Sequence, residues 1–276
     1  MISPIGVLDS GVGGLSVASE IFEALPDERI LYFGDTANLP YGNKTPQQIR
    51  SYVFSIIDFF LENKTKAIVM ACNTSTALVL EEAKNRYDIP IIGVIEPGIK
   101  EALKICKKNE VGLFANEATI ASGAHQKLMA EISGNSVKIV GQACPKLVPL
   151  VESGNTYGEE TVKALNEYLE TIRSSSADTL ILGCTHYPFL GKKLQEIAGN
   201  DFKIINPAKL TVQRLKSLLE EKSLLNLKTS HLEHRYVVSG CAESFRKTGS
   251  SLLGFDIGWV GQIDLSSKQE LILIAC

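Results

Sequence analysis

The chain has no CxxC pair, no GxGxxG or Walker phosphate loop and no excess of either charge. It also has no apolar run near the roughly 20 residues that a membrane-crossing helix needs. Each absence removes a class. Without CxxC, the six cysteines at 72, 106, 144, 184, 241 and 276 carry neither a zinc-ribbon nor a thioredoxin-like signature. A chain of 276 residues needs no disulfide framework, so free cysteine is read first as a small buried hydrophobe. That is the expectation for Cys106, Cys241 and Cys276, and Cys144 is expected to be structural. A formal net charge of -3 leaves no footprint for nucleic acid or an anionic membrane surface. The opening ISPIGVLDSG reads as a strand entering a glycine turn, not as an export signal, and a cytoplasmic protein is expected.

What is present alternates. The strand-like runs IGVLD, RILYFGD, KAIVMA, IPIIGVI, EVGLFA, VKIVG, DTLILG and FKIIN are separated by amphipathic segments, the pattern of an α/β protein with mainly parallel sheets. One helix is marked at its start, where Thr45 precedes Pro46 and has Gln48 three residues on, a capping box with proline at the first helical position. Ile49, Val53, Ile56, Ile57 and Phe60 then give it an apolar face. Pro and Gly in IEPGIK (95–100) and Pro in INPAKLT (205–211) punctuate two passages from strand to helix. Taken as crossings, they divide the chain into a discontinuous α/β domain of residues 1–97 plus 208–276 and a second α/β domain of residues 98–207.

The most informative pattern is a near-duplicate, KAIVMACNTST around Cys72 and DTLILGCTHYP around Cys184. Each ends a buried-looking strand, where open α/β folds place their chemistry, and a cleft between domains would show both thiols to one ligand. A helix start after a cysteine favours its thiolate, so a lowered thiol pKa is expected. Among Asn73, Thr74, Ser75 and Thr76, one is expected to cap the following helix and the others to bond a carboxylate. The turn LDSGVGG offers backbone N–H groups to an anion while Asp9 suits an ammonium group, together the charge layout of an amino acid. Tyr41 and Gly42 fall in YFGDTANLPYGNK, too polar and Gly/Pro-rich for core, and read as loop.

Several chemistries compete for the cysteines. A hydrolase would use one as nucleophile with His186 as its base. A metal site built from Cys72, Cys184, His186 and Asp9 lacks clustered ligand spacing, and none is expected. An amino-acid binding protein would need neither thiol. Inverting a stereocentre needs a base on one face of a carbon and an acid on the other, which explains two equivalent groups better than hydrolysis with its single nucleophile.

These residues resemble a known family. IGVLDSGVGGLSV, YFGDTANLPYG, MACNTST, IPIIGVIEP, ACPKLVPLVE and DTLILGCTHYPFL are similar, in this order, to the glutamate racemases of the aspartate/glutamate racemase superfamily, and FRKTGSSLLGFDIGWVGQIDL to that family's closing helix and strand. The resemblance implies two similar, pseudo-symmetric α/β domains with the active site in the cleft between them, and an isomerase that works without cofactor. It implies Cys72 acting on D-glutamate and Cys184 on L-glutamate, with Asp9, His186 and Glu152 assisting. Asp9, Ser10, Pro40, Tyr41, Gly42, Cys72, Asn73, Thr74, Thr119, Cys184, Thr185 and His186 would hold the substrate. D-Glutamate for peptidoglycan, cell wall biogenesis and cell shape, and a homodimer, follow from the same likeness. Aspartate is the alternative substrate, since one methylene is worth only about 1–3 kcal/mol in a pocket. The chain departs from the family at Ala118, Asn206 and Pro207, which leaves loop and hinge geometry open.

Overall fold

Ile5, Val7 and Leu8 are fully buried because β1 (Ile5–Asp9) lies inside a parallel sheet with helices on both faces. The computed structural model describes residues 3–200, 202–226 and 233–265, and the trailing SSKQELILIAC with Cys276 lies outside them. After β1 the chain forms α1 (Leu15–Ala24), β2 (Ile30–Gly34), α2 (Pro46–Glu62), β3 (Ala67–Met70), α3 (Asn73–Arg86) and β4 (Ile91–Gly93). Through α4 (Ile95–Ile105) it passes to β5 (Glu110–Ala115), α5 (Glu117–Ser122), α6 (Ala124–Ser133), β6 (Lys138–Ala143), α7 (Leu147–Glu152), α8 (Glu159–Arg173), β7 (Thr179–Gly183), α9 (Gly191–Ala198) and β8 (Lys203–Ile205). Through α10 (Pro207–Glu221) it returns to β9 (Arg235–Val238), α11 (Ala242–Leu253) and β10 (Val260–Gln262).

One sheet has the order β10-β9-β2-β1-β3-β4 and the other β6-β5-β7-β8, with every pairing parallel. The order β2-β1-β3-β4 is that of β6-β5-β7-β8, so the fold is two similar α/β units in pseudo-symmetric relation. The equivalence explains the duplicated motif: β3, before Cys72, and β7, before Cys184, occupy the same place in their sheets. In this order the chain leaves β1 and β3, like β5 and β7, on opposite sides, and the crevice outside their carboxyl ends is where such folds bind ligands. Apolar clusters pack both faces of each sheet. All eight expected strands form; β9 was not anticipated, because its apolar run is only Tyr236, Val237 and Val238.

The marked helix forms as expected. Thr45 Oγ1 accepts the Gln48 N–H at 3.3 Å, Gln48 Oε1 accepts the Thr45 N–H at 2.9 Å, and Ile49, Val53, Ile56, Ile57 and Phe60 are all buried. The first crossing differs from expectation, because Pro97 and Gly98 lie within the first turn of α4 and not ahead of it. First-turn N–H groups have no intrahelical acceptor, so proline costs little there. Gly98 packs on α10, where an added Cβ would come within 3.1 Å of Pro207 Cγ. At the return, Asn206 Oδ1 caps α10 through the Ala208 N–H at 3.1 Å and Pro207 takes the first helical position, an ordinary cap. Among the described residues, no helix is long and apolar enough to cross a membrane.

Candidate active site

Met70 ends β3 and Gly183 ends β7, so Cys72 and Cys184 stand where the two sheets turn their carboxyl ends toward each other. Both line a single cavity of about 140 Å³ and are only 5% and 6% exposed. That is below the roughly 300–1,000 Å³ of drug-sized sites and on the scale of one small metabolite. Ser10, Pro40, Tyr41, Gly42, Asn73, Thr74, Thr185 and His186 share the lining, whereas Asp9, Thr119 and Glu152 stand one hydrogen bond behind it. The lining includes no lysine or arginine among the described residues.

On the Cys72 side, two local expectations are corrected. Cys72 itself holds the N-cap position of α3 without a side-chain cap bond, so Asn73, Thr74, Ser75 and Thr76 form the first helical turn and none of them caps it. Thr76 donates to the Met70 carbonyl at 2.9 Å and Thr74 Oγ1 meets Thr119 Oγ1 at 3.0 Å. Asn73 Oδ1 is buried with no hydrogen-bond partner, beside the cavity that Asn73 lines. The Cys72 thiol, expected to be acidic, is instead pushed up to about 11 by burial and by the Asp9 carboxylate, with the Ser75 N–H opposing them. Loss of water outweighs the field of one helix start. The thiol lies 4.0 Å from Ser10 Oγ.

The Cys184 side is built differently. His186 Nδ1 is 3.7 Å from Cys184 Sγ and Nε2 is 2.7 Å from Glu152 Oε1. Burial works against a charged imidazole, but the sulfur and the carboxylate flanking it prevail and hold His186 well above its usual range. A cysteine–histidine couple that sequence spacing left open is therefore formed, and Glu152 fixes the ring's direction. Asp9 joins the two sides. Its Oδ1 accepts the Thr185 hydroxyl at 3.0 Å and its Oδ2 the Gly11 N–H at 3.0 Å. Burial raises the Asp9 carboxyl, against the opposing pull of His186, of the Gly11 and Gly14 N–H groups and of Thr185.

In the glycine turn, the Gly11 and Val12 N–H groups are taken by the Asp9 and Glu152 carboxylates, the second at 3.3 Å. Glycine is required here for close approach, since a Cβ on Gly13 would overlap His186 Nδ1 and Thr185 Oγ1. Tyr41 is also corrected: its ring is buried core, and its hydroxyl donates to Asp35 at 2.5 Å, leaving the loop around Gly42 to face the cavity. Asp35, which sequence reading missed, also accepts Asn38 Nδ2 at 3.0 Å and Ser239 Oγ at 2.7 Å, so it pins the whole loop.

Asn116, at the carboxyl end of β5, was missed as well and lines the cavity. Cys144 lines it too, with its thiol pushed up by burial and donating to the Gln142 carbonyl at 3.3 Å. Cys106 is half-buried at the end of α4, and Cys241 is exposed where α11 begins, not buried as expected, because a helix start faces solvent there. Among the described residues, no three of His, Cys, Asp or Glu are placed to share a metal ion.

Comparison with known proteins agrees with this geometry. Residues 5–215 match the Asp/Glu/Hydantoin racemase family. A glutamate racemase of Geobacter metallireducens is 39% identical over 266 residues, covering 96% of this chain and 98% of the relative. Among solved structures, a glutamate racemase isoform of Bacillus anthracis superposes with a TM-score of 0.92 at 38% identity, covering 96% of this chain and 99% of the other. A glutamate racemase of Francisella tularensis, solved in complex with D-glutamate, gives 0.89 at 33% identity with 96% and 99% covered. Similarity of this extent, running through both sheets and both cysteine loops, places the chain in the Asp/Glu/hydantoin racemase family, among the glutamate racemases.

Proposed function

We propose that the chain interconverts L- and D-glutamate by direct proton transfer between Cys184 and Cys72, with no cofactor. The observation that carries this reading is the unlike treatment of two equivalent thiols in one cavity. Burial keeps Cys72 a thiol, able to give a proton, while Cys184 faces a charged imidazole. The arrangement is poised to take the α-proton of L-glutamate at Cys184 and to deliver one to the opposite face from Cys72, and the reverse reaction exchanges the roles. Glu152 holds His186 in place, and Asp9, bonded to Thr185, lies close enough to Cys72 to raise its pKa.

Binding uses no lysine or arginine among the described lining residues. Asn73 Oδ1 and the acidic Asp9 side suit the substrate ammonium, and the first-turn N–H groups of α3 with the hydroxyls of Ser10 and Thr74 suit carboxylates. With water excluded, such fixed donors stabilise carbanion-like charge without reorganising at the moment of transfer. The pieces 98–207 and 1–97 plus 208–276 are the bodies whose closure completes the site; the strand membership of the two sheets and the helix starts at Ile95 and Pro207 support this. The family likeness also supports a cytoplasmic homodimer whose D-glutamate enters peptidoglycan synthesis, and hence cell wall biogenesis and cell shape.

The test is solvent exchange. Each enantiomer of glutamate is incubated in deuterated water with the wild type, Cys72→Ser and Cys184→Ser, and followed by optical rotation and mass. The wild type is expected to invert either enantiomer with one deuterium at Cα, and each variant to lose at least about 100-fold in racemisation. An unlabelled, unrotated wild-type reaction, or a fully active Cys72→Ser, would overturn the mechanism.

A further inference from the structure

Asn116 makes two hydrogen bonds that fix each other's direction. Its Oδ1 accepts the Thr119 N–H at 2.8 Å, capping α5, so the atom facing Thr74 Oγ1 at 2.7 Å is the Nδ2 donor. Thr74 is therefore the acceptor in that bond. Thr119 Oγ1 lies 3.0 Å from the same oxygen, and either hydroxyl can be the donor; both threonines are fully buried, but only Thr74 lines the cavity, where a ligand acceptor can meet its proton and spare the cost of an unmet one. With that acceptor present, Thr119 donates to Thr74 as well. A threonine oxygen has two acceptor sites and one proton; with both sites of Thr74 filled, its proton is left for the cavity that Thr74 and Asn116 both line.

The same side chain joins the two units. Asn116 follows β5 of one sheet, whereas Thr74 starts α3 beside the other, and a Cβ built on Gly42 would lie 3.3 Å from Asn116 Cβ. This contact stands apart from the pair Thr185–Asp9 and Ser16 Oγ to the Thr185 carbonyl, which joins the units at 3.0 and 2.9 Å through the loop after β7. In a lining without lysine or arginine, the direction of each hydroxyl decides whether a carboxylate is met by a proton or by a lone pair.

We propose that Asn116 is a positioning residue for glutamate: it orients the Thr74 hydroxyl as a donor to a substrate carboxylate and clasps the cleft on that side. This rests on glutamate being the substrate. Asn116→Ser keeps a good helix N-cap but is too short to reach Thr74, so α5 is retained and the relay is broken. Its KM for glutamate should rise about tenfold while kcat changes by less than about threefold, the mark of lost ground-state and transition-state binding alike. In a Thr74→Val background the same substitution should change KM by less than about twofold, because the group it acts through is gone. Circular dichroism and thermal unfolding check that each variant is folded. A folded Asn116→Ser with wild-type KM, a change confined to thermal stability, or full additivity with Thr74→Val would each overturn the proposal. A wild type that does not turn over glutamate would instead remove the racemase reading itself.

Discussion

His125 shows how far a single side chain can depend on its surroundings. It is buried on α6 with Nδ1 unpartnered, and burial lowers its imidazole to about 4 from the ordinary 6.5. As pH falls below 6.5 the unfolded chain takes up this proton and the folded chain does not until about 4. The contribution to stability is thus complete above 6.5 and is lost as pH falls toward 4, to a total of about 3 kcal/mol. Urea unfolding at pH 7 and pH 4.5 should show His125→Gln losing about 2–3 kcal/mol less on acidification than the wild type; equal losses would sink the assignment. Nothing in GAHQKLM announces this burial. The two cysteines were legible because each follows an apolar run that the sequence itself repeats. The direction of the Cys72 shift was not, since the helix start is local and visible whereas the walls that strip its water come from distant segments. Asp35 and Asn116 each have a near partner as well, but the bonds that tie them to the site, to Ser239 and to Thr74, reach far along the chain, and those escaped for the same reason.

At the scale of elements, the strands followed from β-branched apolar runs and α2 from its cap, and the β1–α1 turn was read correctly in shape. Hidden from sequence was that Gly13 admits the loop after β7. Gly13→Ala should therefore push Thr185 and His186 away from Cys72's side of the cleft. Displacement of a catalytic group by about 1 Å costs on the order of 100-fold, so kcat should fall at least that far, while overpacking removes about 1–3 kcal/mol of stability. The contrasting change is Thr45→Ala, which deletes the exposed capping box of α2 and should cost about 1 kcal/mol with kcat unchanged. Steady-state kinetics beside urea melts separate the two. A Gly13→Ala enzyme with wild-type kcat would show that the close contact has no catalytic consequence.

For the molecule as a whole, the repeated strand order turns a sequence echo into two facing half-sites, each at the switch point of its own sheet. If closure of the two bodies completes the site, as proposed, half-sites this buried part for a substrate to enter. The bonds Asn116–Thr74, Thr185–Asp9, Ser16–Thr185 and Val12–Glu152 are polar and reformable in water, and they stand beside apolar contacts of Leu39, Phe189 and Leu252 that also join the units. Cysteine alkylation reads this opening directly. Cys241 is exposed and should react with iodoacetamide first, whereas Cys72 and Cys184 should react only as the cleft opens. Saturating D-glutamate favours the closed form and should slow both further. Cys72 is slowed also by its raised pKa, so Cys184 is the cleaner reporter. Gly13→Ala, which props the units apart at the Cys184 loop, should speed labelling of Cys184 and weaken its protection by glutamate, with Cys241 unchanged. Peptide mass spectrometry over a time course gives all three rates in one sample. Cys184 labelled as quickly as Cys241 in the wild type, and indifferent to glutamate, would mean that the cleft stands open in solution and that closure has no part in the reaction.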